Sequence, residues 1–128
     1  MKSLILIASV LLSTTSFAVG NPTPDKEVEV NINGVFVPGS FDSNSEAYVV
    51  VNGVFQNGCY KWSRADINNV DNFNHEVKSI ASVTQGMCIM VLVPFQKDIR
   101  LGKLATGLHT LKFLSADGTY LEKQLTIE

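Results

Sequence analysis

The chain has 128 residues, 45% of them hydrophobic, which is enough for one domain with a buried core. Ten Lys and Arg against 12 Asp and Glu leave a net charge of −2, and the basic residues form no stripe, so a dedicated nucleic-acid binder is excluded as an expectation. Charge runs are absent as well, since Lys97, Asp98 and Arg100 mix signs.

The first residues read MKSLILIASVLLSTTSFAVG. Lys2, the apolar run Leu4 to Leu12, and Ser16 and Ala18 at the positions a signal peptidase reads predict a signal peptide over residues 1–18. The apolar run falls short of the roughly 20 residues a spanning helix needs, and no later run reaches that length. An exported protein, periplasmic or secreted, with no membrane span after signal cleavage is therefore expected. VGNPTPD, residues 19–25, carries two prolines and no pattern, and reads as a flexible lead-in.

Residues 26–128 carry the signals of strands: short runs of Val, Ile, Phe and Tyr punctuated by Gly, Asn, Asp and Pro. In chain order the candidates are EVEVNI (27–32), AYVVVNGVF (47–55), CYKWSR (59–64), EVKSIASVT (76–84), CIMVLVPF (88–95), DIRL (98–101), HTLKFL (109–114) and TYLEKQLTI (119–127). EVEVNI and HTLKFL alternate apolar with polar residues, the pattern of strands that bury one face and wet the other. AYVVV and CIMVLV are nearly continuous and predict central strands. The tetrapeptide NGVF occurs at 33–36 and again at 52–55, but the spacing does not continue downstream, so a repeat architecture is not indicated. Asn57-Gly58 predicts the turn before Cys59, and Asp117-Gly118 a hairpin between the last two strands.

Two cysteines in an exported chain most simply form one disulfide. Cys59 and Cys88 would close a loop of about 30 residues, a contribution of about 3 to 4 kcal/mol in the chain-entropy model. The alternative, a Cys-His dyad using His75 or His109, needs a free thiol in an oxidising compartment.

LGKLATGLHTLKF (101–113) is similar to the corner that leads into the penultimate strand of fibronectin-III-like and immunoglobulin-like domains, with His109 where an aromatic residue often sits. Together with GVFQNGCYKW (53–62) and MCIMVLVPF (87–95), it resembles a family of small exported bacterial proteins of unassigned function. The resemblance covers most of residues 36–118. It implies an Ig-like sandwich pinned by Cys59 and Cys88, and no activity. The cysteines stand closer in sequence than the inter-sheet pair of antibody domains, and Trp62 lies only three residues after the first.

Sites are sparse. Asp42-Ser43-Asn44-Ser45-Glu46 spaces oxygen ligands like a calcium loop, but Ala47 and Gly53 stand where an EF-hand needs Gly and Glu, so a side-chain-bonded turn is expected there. His109 alternates with Leu111 and Phe113, as a partly buried corner residue would, and His75 follows Asn72-Phe73-Asn74 in an expected loop. No catalytic residues, metal or cofactor are predicted. The candidate binding residues are Tyr60 and Trp62, which share one face of their strand either as an exposed aromatic patch or as core beside the disulfide, and Val70 and Phe73 in the polar loop Ala65 to Asn74. The reading is all-β: a single antiparallel Ig-like or fibronectin-III-like sandwich of seven or eight strands with one disulfide. As a non-enzymatic binding or envelope-associated module it would have another envelope or extracellular protein as partner, with a secreted enzyme or an enzyme inhibitor as the alternatives.

Overall fold

The β-branched and aromatic runs form eight strands in a computed structural model that describes residues 24–128. The predicted signal peptide and residues 19–23 of the lead-in lie outside the described residues. The strands are β1 (Lys26–Glu29), β2 (Gly34–Phe36), β3 (Ala47–Phe55), β4 (Tyr60–Asn69), β5 (Asn74–Val83), β6 (Val93–Gly102), β7 (Gly107–Leu114) and β8 (Tyr120–Ile127). They make two sheets, one of five strands and one of three.

β5 is the axis of the larger sheet. β4 pairs with it on one side from Tyr60↔Val83 to Asn69↔His75. On its other side two strands share the edge end to end: β1 covers Ile80 to Val83, β7 covers Asn74 to Lys78, and β8 pairs outside β7. The β5–β7 pair is parallel, because the intervening β6 belongs to the other sheet and returns the chain in the direction of β5. The smaller sheet runs β2-β3-β6, all antiparallel. Alternation fills the space between the sheets: Val49 and Val51 from β3, Ile99 from β6, Val77 from β5, Leu111 and Phe113 from β7, and Leu125 and Ile127 from β8 form one buried cluster.

Asn52 and Gly53 stay in regular strand register, and the one register shift between β3 and β6 falls between Ala47 and Tyr48, where β6 carries the extra residue Leu101. The two NGVF segments lie on adjoining antiparallel strands but meet only where they begin, since Gly34 pairs with Asn52 while Val35 and Phe36 pair with Val51 and Val50, which precede the second segment. A Cβ at Gly53 would lie 2.6 Å from the Phe95 ring and 2.8 Å from the Asn31 carbonyl. Its absence lets Phe95 lie over the strand and stack on Phe55 at 4.2 Å between centroids.

Three expectations change. CIMVLVPF is not a central strand: β6 begins only at Val93, continues through DIRL to Gly102, and the apolar residues before it stand in solvent. The reason is the tie between Cys88 and Cys59, with Cα atoms 5.3 Å apart, and the bond from Gly58 N–H to Ile89 O at 2.9 Å. These hold the segment across the end of the sandwich, away from any pairing strand. β4 continues to Asn69, so the expected loop Ala65 to Asn74 contracts to a tight turn around Val70 to Phe73. His75 is the second residue of β5, not a loop residue, and it is buried.

Candidate functional site

Two ends of the sandwich carry unusual chemistry. At the first, β3 passes to β4 through Gln56 to Cys59, and β5 passes to β6 through Thr84 to Leu92. The side-chain oxygen of Asn57 accepts the Cys59 N–H at 2.9 Å, which turns the chain and presents Cys59 to Cys88. Thr84 N–H donates to the Cys59 carbonyl, so the disulfide sits between two backbone bonds. Beyond it Met87, Ile89, Met90, Val91 and Leu92 are exposed by 103, 73, 80, 53 and 73%. The segment from Thr84 to Gln96 contains no charged side chain. This is a pinned apolar ridge.

Tyr60 and Trp62 lie behind the ridge. Both are half-buried: Tyr60 stacks on Phe55 at 5.8 Å and accepts from the Gln56 amide through its hydroxyl, while Trp62 meets Phe95 at 5.9 Å. They are core beside the disulfide, and the exposed aromatic patch considered from sequence is not formed. A cleft of about 280 Å³ opens beside Tyr60, lined by Val28, Val30, Val54 and Phe55 with Glu29 and Gln56 at its polar side. Outside it, Arg64 ties β4 to β1 through Glu27 and also bonds Asp66 at 2.9 Å.

At the opposite end, β5 and β7 bring together two histidines 34 residues apart. His75 Nε2 and His109 Nδ1 are 2.9 Å apart, His109 Nε2 lies 2.6 Å from the Ala105 carbonyl, and His75 Nδ1 lies 2.6 Å from the Asn69 side-chain oxygen. His75 is 5% exposed and His109 is fully buried. A carbonyl only accepts, so His109 Nε2 carries a hydrogen; a neutral His109 then accepts at Nδ1, and His75 Nε2 must donate. A neutral His75 is left with a bare Nδ1, which requires the Asn69 amide nitrogen as its partner. With the amide oxygen there instead, both His75 nitrogens carry hydrogens and the pair holds one positive charge.

Burial pushes the His75 imidazole below the ordinary histidine value, the adjacent His109 adds to this, and Asp71 opposes it. The neutral arrangement, with the Asn69 amide nitrogen toward the ring, is thereby favoured near neutrality. All four ring nitrogens are engaged within the domain.

Val70 and Phe73, 59 and 41% exposed, lie at this histidine end, so the four binding residues expected from sequence do not form one surface. Phe73 covers His109 at 5.1 Å. A Cβ on Gly107, whose φ is +139°, would stand 2.9 Å from the Phe73 ring, so glycine is required for that closure. Asp71 fixes the turn by accepting the Phe73 and Asn74 N–H groups at 2.8 Å. The oxygen-rich segment at Asp42 is closed on itself: Asp42 Oδ1 accepts from Asn44 N–H and Ser45 Oγ, both at 2.9 Å.

Sequence reasoning missed both the ridge and the histidine contact. The alternation His75, Val77, Ser79, Ala81 carries His75 onto the inner face and was available as a signal. For the ridge, the only signal was a cysteine destined for a turn at the head of an uncharged run.

Two sheets packed around one core, with a single bridge at one end, define a small β-sandwich domain. The family model of the ORF11 beta-sandwich domain matches residues 49–127, and the chain belongs to that family. No curated protein and no solved structure matches the chain.

Proposed function

We propose that this protein is an exported, non-enzymatic binding module that docks on a component of the cell envelope through the ridge Met87 to Leu92. The observation that carries the reading is the exposure of five apolar side chains on a segment held by a disulfide. Contiguous apolar surface left in water is the usual mark of a contact site, and a segment already fixed by a covalent tie loses little further freedom on docking. Tyr60 and Trp62 serve as the packed footing of the ridge rather than as contacts. The disulfide and the apolar leader both support export into an oxidising compartment. Against the enzyme alternative, both cysteines are bridged and the histidine nitrogens are all occupied by internal partners.

The test is a photo-crosslinking residue in place of Met90, irradiated in cells that export the protein. Adducts with envelope components are expected at position 90 and not from the same group at Tyr120, an exposed residue on β8. Equal labelling from both positions, or none from either, overturns the reading.

A further inference from the structure

We infer that the surface the ridge docks on is the headgroup layer of a phospholipid bilayer; this rests on the docking role proposed above. The shape of the segment is the first reason. Met87, Ile89, Met90 and Leu92 are each more than 70% exposed, so the segment is a crest without walls of its own. A deformable layer adapts to a crest, whereas a protein partner must supply a matching groove.

Composition is the second. The crest is aliphatic and thioether throughout and has no Trp, Tyr or Arg, the residues that carry most protein–protein hot spots. Area is the third. A stable contact between two proteins engages about 20 to 30 residues a side, and five side chains meeting their copies crest to crest fall far below that.

Backbone and charge fix the manner of binding. Within the ridge, among the described residues, only the Ile89 carbonyl has a backbone partner. The other peptide groups need water, so the crest sits at headgroup depth and does not enter the hydrocarbon. The charges nearest its base have mixed sign: Asp25, Lys26 and Glu27 at the start of β1, and Lys61 opposite Ser82 on β4. No basic collar selects anionic lipid.

The experiment is flotation of the exported protein, purified from cells, with vesicles of neutral phosphatidylcholine. The wild type is expected to float with the vesicles, and the double substitution Met90→Asp with Leu92→Asp to lower the bound fraction at least about tenfold, which is about 1.4 kcal/mol. Adding anionic lipid or raising salt is expected to change binding by less than about twofold, since screening acts only on charge. Circular dichroism confirms that the double variant is folded. A single Met90→Trp variant gives an independent readout, a blue shift of emission with vesicles over the constant background of half-buried Trp62.

Vesicle binding that survives both aspartates, or that collapses with salt, overturns the inference. So does an unshifted Met90→Trp emission. If the wild type ignores vesicles while the crosslinker at position 90 still gives adducts to a protein, the lipid assignment fails and the docking reading stands. Failure of both experiments removes both. A dimer that the aspartates dissolve would replace the bilayer with a second copy of the chain.

Discussion

The two ends of the sandwich invert the usual distribution of residues. At the disulfide end apolar side chains stand in water, and at the histidine end two imidazoles are enclosed among strands. Each inversion persists because something other than burial holds it. The ridge is fixed by the Cys59–Cys88 bond and the Gly58–Ile89 backbone bond, and the imidazoles by partners for each ring nitrogen. Stability and surface chemistry are thus separable at the first end and inseparable at the second.

The largest expected effect comes from cutting the covalent tie. Replacing Cys59 and Cys88 by Ala is expected to cost about 3 to 4 kcal/mol in urea unfolding, because the unfolded chain regains the freedom of a 29-residue separation. An unmoved midpoint would mean that the backbone bonds alone hold the ridge end. Next, His109→Ala is expected to cost about 2 to 4 kcal/mol, combining a cavity under Phe73 with an unpaired Ala105 carbonyl and a His75 nitrogen that loses its partner. A loss below about 1 kcal/mol would make the histidine end as tolerant as an ordinary surface.

The third test is the response to acid. The folded His75 titrates below 6.5, so below that pH the unfolded chain binds more protons and stability falls with pH; above it this contribution is constant. Asp42, held down by the Ser45 hydroxyl, Asp71 by the Phe73 amide and Asp117 by the Thr119 hydroxyl act in a lower window, contributing above 3.8 and losing that contribution below it. Unfolding free energies across the two windows should therefore lose their upper slope, and keep the lower one, in His75→Gln. The smallest expected effect is at the ridge: Met90→Ser should move stability by no more than about 0.5 kcal/mol, because its side chain has no partners to lose. A larger loss would show that the crest packs on the domain and is not presented outward.

The comparison also explains what was readable in the sequence. Period-two alternation located the inner face of β7, the continuous run AYVVV marked β3 as the central strand of its sheet, and the Asp117-Gly118 turn follows from local chemistry, with Gly118 at φ +86° and Asp117 accepting from Thr119. Cysteine count and the expectation of export pointed to the bridge. The fate of CIMVLV was not readable, since an apolar run has the same appearance whether it fills a core or caps one. Only the positions of Cys59 and Gly58 decide between them. The histidine contact was hidden for a different reason: it depends on β5 and β7 being neighbours, and that follows from the excursion of β6 into the other sheet. Val70 and Phe73 were expected in the loop Ala65 to Asn74 and do lie in the turn that remains of it, where Phe73 also closes over His109.

β1 has a consequence for how the domain tolerates trimming. It fills the half of β5's edge that β7 does not reach, from Ile80 to Val83, and the family match begins at Val49, leaving β1 and β2 outside the matched segment. A fragment cut to the matched residues would leave that stretch of β5 with unpaired backbone donors and acceptors, a template for a strand from another molecule. The four-residue strand β1 acts as a stopper, and proteolysis ahead of residue 30 would turn a closed edge into an adhesive one.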